Sequence, residues 1–381
     1  MEAVISVFGT ILTIFVTILS FYVFFKIDLI VKSNLNKFRK FFWFSGLFLW
    51  GLFFISRIFR KTYNHQFYSD ILQIYGMHLM GILILMAVAF FISDVLSGFG
   101  FFFKKYKQKI RVFALFAGIL MVLTAHVQGI RPPVIEKTEI KINNLPKELQ
   151  NFKIAVLSDI HAGEIMIDHL WIKSRAEQLK SINPDLVLIA GDIFERKADP
   201  KKFVPEMKKL KSPFGVFAVR GNHDSLRFNR KDVTGKILQE AGIPLLSNKW
   251  IKLSNGLVIA GIEDLTVSSR NKGEMEENFK KTVLGLPDGI SIFLSHTPWM
   301  VEEASDKNFD LMISGHTHNG QIWPFNYLVK TRYKYLSGLY KINNMNLYVS
   351  RGTGTWGPRM RLWKPGEISL VVLKNSQGQD R

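Results

Sequence analysis

Five short polar clusters carry the residue types of metal-assisted chemistry: Ser158-Asp159-Ile160-His161, Gly191-Asp192, Gly221-Asn222-His223-Asp224, Ser295-His296 and Gly315-His316-Thr317-His318. They gather five of the nine histidines of the chain, which has no cysteine. Imidazole nitrogen with carboxylate and amide oxygen suits manganese, iron or zinc rather than calcium or copper. The absence of cysteine excludes a disulfide scaffold, a zinc-thiolate knuckle, a thiolate nucleophile and an iron–sulfur cluster. Asp159, His161, Asp192, Asn222, His223, His296, His316 and His318 are too many groups for one tetrahedral ion. Two divalent ions about 3.5 to 4 Å apart, bridged by a carboxylate, would use them all.

Each cluster follows an apolar run of strand type. Candidate strands are 153–157, 186–190, 216–219, 258–261, 291–294, 311–313, 347–350 and 369–373. Helical spacing appears between them, at Leu170, Ala176, Leu179 and Ile182, at Phe203, Met207 and Leu210, and at Val233, Ile237, Leu238 and Ala241. This alternation predicts an α/β domain over 152–375, in which the loops at the carboxyl ends of the strands converge on one crevice. Asp159 and His161, two apart in an extended loop, would project to one side. Gly191, Gly221 and Gly315 each stand where the backbone must turn tightly beside an ion.

The first third reads differently. Of 381 residues, 48% are hydrophobic and 32 are Phe, and uncharged runs occupy 3–25, 41–56, 71–93 and 112–130. A membrane helix takes about 20 apolar residues. The prediction is a transmembrane domain over 1–131 with four helices, the short second run having a re-entrant segment as its alternative. Glu2, the length of the first run and the lack of a small-residue cleavage site argue against a removable signal peptide. Residues 132–151 read as a polar connector after Pro132 and Pro133, and 376–381 as a tail. Basic residues concentrate in the first loop (Lys26, Lys32, Lys37, Arg39, Lys40) and the third (Lys104, Lys105, Lys107, Lys109, Arg111). The positive-inside rule then puts those loops in the cytoplasm and the folded domain outside it, although Arg131, Lys137, Lys141 and Lys147 pull the other way. His78 and His126 lie within spans without an acidic partner there, which fits hydrogen-bonded helix packing.

The five clusters, in this order over roughly 152–375, resemble the calcineurin-like metallophosphoesterase superfamily, whose signature is DxH, GD, GNH with Asp or Glu, a lone His, and GHxH. Gly320-Gln321 and Arg351-Gly352-Thr353-Gly354 with Pro358-Arg359 are similar to the bacterial YkuE-like subgroup, and the layout resembles the animal transmembrane proteins with a metallophosphoesterase domain. The resemblance implies a sandwich of β sheets flanked by helices. It implies that Asp159, His161, Asp192 and His318 hold one ion and Asp192, Asn222, His296 and His316 the other, with Asp192 as the bridge. A bridging hydroxide would attack phosphorus, and His223 would protonate the leaving oxygen. Glu195 stands where many members carry the aspartate that steadies this histidine, and Asp224 is a second candidate for the task.

Arg351, Arg359 and Arg361 have two readings, a bidentate clamp on substrate phosphate or a solvated basic loop. His169 reads as a surface residue near a helix start. The GxGxxG string at Gly352 to Gly357 fails as a dinucleotide site, because neither a helix nor an acidic residue follows as required. The resulting expectation is a membrane-anchored phosphoesterase acting on a phosphorylated small molecule or lipid, phospholipids and lipid-linked pyrophosphates included. The alternatives are a silent phosphoesterase-fold scaffold, which predicts missing ligands where none is missing, and a transport or signalling protein led by its helices. Of the net charge of +19, +10 falls after residue 130 and would draw nucleic acid or anionic lipid headgroups. No aromatic-basic stripe of a single-strand binder is present, so nucleic acid is a weaker partner than membrane lipid.

Overall fold

The computed structural model describes residues 2–31, 36–62, 66–163, 166–195, 198–224, 232–268 and 272–376. They form two compact units, one of 1–130 with 357–363, the other of 131–356 with 364–381.

The first unit holds α1 (Glu2–Val31), α2 (Asn36–Thr62), α3 (Gln66–Leu96) and α4 (Lys107–Ile130). All four are long and apolar enough to cross a membrane, the second through Lys37–Ile55, 19 residues. Phe113, Phe116, Leu120 and Leu123 of α4 face outward, whereas Ala114, Gly118, Ala125 and Gly129 are buried along its opposite face. Such a stripe of small residues lets a neighbouring backbone come close, which is how helices associate without a hydrophobic drive. Here the neighbour of Gly129 is the segment 357–363: a Cβ on Gly129 would collide with the carbonyl of Arg359. The Arg361 amide donates to the Ala125 carbonyl at 2.8 Å. Lys26, Asp28 and Asp94, just beyond the uncharged runs, lie within the helices and are paired, Lys26 with Asp94 at 2.5 Å and Asp28 with Arg39 at 2.6 Å. The rings of His78 and His126 stack at 5.4 Å, and each ring hydrogen-bonds through Nδ1 to the carbonyl four residues earlier.

The second unit contains β1 (Val134–Ile142), β2 (Lys153–Leu157), α5 (His169–Ile182), β3 (Leu186–Ala190), α6 (Pro200–Met207), β4 (Val216–Val219), α7 (Val233–Ala241), β5 (Lys249–Lys252) and β6 (Val258–Gly261). These are followed by α8 (Leu265–Ser268), α9 (Lys272–Val283), β7 (Ser291–Leu294), α10 (Val301–Asp306), β8 (Leu311–Ser314), α11 (Phe325–Lys330), β9 (Gly338–Ile342), β10 (Met345–Val349) and β11 (Glu367–Asn375). Two sheets result, ordered β1-β11-β2-β3-β4 and β5-β6-β7-β8-β10-β9.

Strand alternation explains the layers. Ile154 and Val156 of β2 and Leu186 and Leu188 of β3 point into a core shared with Ile292, Leu294, Leu311 and Ile313 of the second sheet. Their neighbours Ala155, Leu157, Val187 and Ile189 face Ile172 and Leu179 of α5 and Phe203 of α6. On the far side Ala260, Phe293, Met312 and Leu347 cover Phe279 of α9 and Val301 of α10. Strands buried on both faces read as continuous apolar runs, and these do.

The expected connector is corrected here. β1 pairs in parallel with β11 over nine residues, and Ile140 and Ile142 belong to the core between the sheets. Residues 132–151 are therefore part of the folded unit. Segment 357–363, expected inside that unit, belongs to the helical one. In the expected tail, the Ser376 amide donates to the Ile142 carbonyl at 3.0 Å, and 377–381 lie outside the described residues.

Candidate metal centre

Strands β2, β3 and β4 run parallel, as do β6, β7, β8 and β10. Register aligns Leu157 with Ile189, Ala190 with Val219 and Leu294 with Ile313, so the polar clusters leave their strands at one level. The chain turns sharply there. Asp159, His161, Asp192, His316 and His318 all have positive φ, between 48° and 72°. Asp159 and His161 are thus not in an extended loop; left-handed turns aim them, a conformation that a non-glycine residue keeps only where its surroundings enforce it. Gly221 is required by closeness: a Cβ would collide with the Asp192 carboxylate.

Among the described residues three groups of possible ligand atoms result: Asp159 with His161 and His318, Asp192 with His296 and His316, and His161 with Glu195 and His223, the last sharing His161 with the first. In the first, His161 Nε2 faces His318 Nε2 at 3.1 Å, and His318 Nε2 lies 3.4 Å from Asp159 Oδ1. In the second, His316 Nδ1 faces His296 Nε2 at 3.1 Å, with Asn222 Oδ1 at 3.3 Å from that same Nε2. Asp192 Oδ2 stands between these two groups, 3.6 Å from His161 Nε2 and 3.3 Å from His296 Nε2. Its other oxygen accepts from the His223 amide at 2.8 Å, which fixes the carboxylate in that attitude. Asp159 is held by the His316 amide, at 3.0 and 3.1 Å, and by the Ser158 hydroxyl.

Paired imidazole nitrogens facing each other with carboxylate oxygens beside them make a donor set whose chemistry fits divalent cations. Asp159 and Asp192 are buried, and among the described residues neither has an ion pair with Lys or Arg. Electrostatics express the same demand. Burial opposes a charge on His296, yet Asp192 and Asp159 carry its pKa up to about 10. Burial and the charge on His296 push His316 down to about 3. Burial raises Asp159, whereas for Asp192 the pull of His296 overcomes burial and holds it well below the carboxylate range.

His223 is in neither of the first two groups and meets the first only through Glu195 and His161. Its Nδ1 lies 3.0 Å from Glu195 Oε1, and the same oxygen is 2.9 Å from His161 Nδ1. Burial disfavours a charged His223, but Glu195 and Asp192 outweigh it and raise its pKa to about 9. The extra methylene of Glu195 thus reaches the histidine. Asp224 does other work: it accepts from the amides of Gly221, Ile193 and Phe194 and from the Thr234 hydroxyl, tying the β3 and β4 turns together.

The arginine clamp is corrected for Arg351, which is buried and ion-paired with Glu367 and with Glu136, the latter at 2.9 Å. Arg359 and Arg361 belong to the helical unit. His169 opens α5, its ring against Phe203.

Three neighbours escaped the sequence reading. Asp264 follows β6 as Asp159 and Asp192 follow theirs, a placement that was a usable signal; its charge acts on His296. Trp356, 56% exposed, presents its ring 6.3 Å from that of His223 and is bound through its backbone N–H and C=O by Gln321. Tyr333 hydrogen-bonds His316 and has no pattern in sequence that would mark it.

The family model described as calcineurin-like phosphoesterase matches residues 152–320. An uncharacterized metallophosphoesterase of Campylobacter jejuni is 30% identical over 263 residues, 68% of each chain. The zebrafish transmembrane protein with metallophosphoesterase domain is 29% identical over 70% of this chain and 63% of its own. The uncharacterized metallophosphoesterase YkuE of Bacillus subtilis is 29% identical over 66% of this chain and 90% of its own. By these matches, and with the polar clusters gathered at one end of two sheets, the chain belongs to the calcineurin-like phosphoesterase family.

Proposed function

We propose that this chain is a membrane-anchored phosphoesterase that hydrolyses phosphate ester or pyrophosphate bonds at a centre of two divalent ions, manganese, iron or zinc. The observation that carries the reading is the pair of ligand groups meeting at Asp192 Oδ2, with His223 outside both and backed by Glu195. Asp159, His161, His318 and Asp192 would hold one ion, and Asp192, Asn222, His296 and His316 the other. Such a pair lowers the pKa of a water and neutralises phosphoryl oxygens. The chain's own part is positioning and proton delivery. His223 Nδ1–H donates to Glu195, which leaves Nε2 to hand a proton to the departing oxygen. Trp356, beside His223, marks the leaving-group side.

Four apolar helices on the same chain favour an amphiphilic substrate, a phospholipid or lipid-linked phosphate. The loop charges favour the extracytoplasmic side for the phosphoesterase unit; a reporter fused after Arg381 is expected to work outside the cytoplasm, and cytoplasmic activity overturns that side. For the reaction, the full chain in detergent is stripped of metal, reloaded, and given aryl phosphate mono- and diesters and phosphatidic acid. Metal-dependent release of product, lost together with bound metal in Asp192→Ala, is the expected result. A variant that keeps both metal and rate overturns the two-ion reading.

A further inference from the structure

A histidine that binds a metal must offer a lone pair, so its proton belongs on the other ring nitrogen, and an acceptor there decides which nitrogen that is. Three of the site's histidines show their acceptors. His296 turns Nε2 inward and places Nδ1 2.8 Å from the Ala190 carbonyl. His161 turns Nε2 inward and places Nδ1 2.9 Å from Glu195. His316 is reversed: Nδ1 faces inward, 3.1 Å from His296 Nε2, and Nε2 lies 2.6 Å from the Tyr333 hydroxyl.

We propose that Tyr333 is a positioning residue of this centre, acting on His316: its hydroxyl oxygen accepts the Nε2–H of His316 and thereby holds the Nδ1 lone pair toward the ion shared with His296 and Asn222. This assignment rests on the phosphoesterase reading above. Tyr333 is itself held in place. Its amide donates to the Val329 carbonyl at 2.9 Å, at the end of α11. Its ring stacks on Trp299 at 5.6 Å with 16° between planes, and meets the His316 ring at 5.0 Å. The guanidinium of Arg332 lies 5.3 Å from the Trp299 ring centre on the same aromatic group.

The two centres are therefore backed unequally. His161 leans on a carboxylate, which strengthens its ring as a donor, whereas His316 leans on a neutral phenol. Loss of the phenol oxygen weakens one centre and spares the other. Tyr333→Phe keeps the ring stack and removes only that oxygen. In the full chain in detergent, titrated with manganese, the metal concentration for half-maximal binding at the weaker site rises roughly 10- to 100-fold. One ion leaves on desalting while the other stays, and the rate at saturating manganese returns to within a few-fold of the parent. Unfolding of the chelator-treated variant matches the chelator-treated parent. Trp299→Leu, which keeps the hydroxyl but frees the ring, shifts the same titration in the same direction. Unchanged metal titrations in both variants overturn the role of Tyr333. A parent chain that binds no metal instead overturns the two-ion reading on which it rests.

Discussion

At the scale of single residues, Glu195 is the most informative side chain, because one oxygen serves both the proposed acid His223 and the candidate ligand His161. His223 must be protonated to donate, so the rate falls as pH rises through its pKa, and Glu195 holds that pKa up. Glu195→Gln removes the charge that favours the imidazolium; the basic limb of the pH–rate profile therefore moves to lower pH, and a limb that stays in place contradicts the pairing. His223→Ala keeps bound metal and lowers kcat by about 10²- to 10⁴-fold, most of all for esters with poor leaving groups. Metal analysis beside the kinetics separates this from loss of the centre. The ligand-type residues were legible in sequence because each follows a strand end at short spacing. The fate of Arg351 was not: its partners Glu136 and Glu367 lie 215 positions before and 16 after, and no spacing rule joins them. Asp224 was visible as a carboxylate beside a histidine, yet its four donors come from three separate turns and elements.

At the scale of elements, the eight strands expected from apolar runs are all present, and the three that were missed, β1, β5 and β9, are edges of their sheets. An edge strand buries less of itself and carries charge that discourages further pairing, so its apolar signal is diluted. In β1, Glu136, Lys137, Glu139 and Lys141 are exposed while Ile140 and Ile142 are buried, and the charged residues make the stretch read as a linker. Ile140→Ala decides between the two descriptions. In the core between the sheets it lowers the free energy of unfolding by about 2 to 5 kcal/mol. A linker residue would change it by about 0.5 kcal/mol or less. Chemical unfolding of the full chain, with Ile154→Ala in the central β2 as reference, is the measurement.

At the scale of the whole molecule, the chain does not divide at a single point. It leaves the helical unit at 130, returns to it for 357–363, and leaves again to form β11. Within the helical unit that short segment is anchored at several points: Met360 is 0% and Leu362 5% exposed, the Arg361 amide donates to Ala125, and Arg359 donates to the Ile130 carbonyl at 3.2 Å. A cut before residue 131 therefore strips partners from a segment in the middle of the remaining chain. Burying a side chain of this size contributes about 1.5 to 3 kcal/mol. The fragment 131–381 is then left with two apolar side chains and one backbone amide facing water, while its own sandwich is intact from β1 to β11. The expected outcome is a fragment that folds but self-associates, and that becomes monodisperse when Met360→Ser and Leu362→Ser are introduced together. In the full chain the same pair of substitutions acts oppositely and lowers the detergent-phase unfolding temperature. A fragment starting at 145 fares worse, since removal of β1 uncovers the edge of β11 and takes Ile140 and Ile142 from the core. Size-exclusion chromatography of the three fragments side by side reads all of this. A monodisperse parent 131–381 fragment, with no gain from the serine pair, overturns the expectation that loss of the helices leaves Met360 and Leu362 facing water.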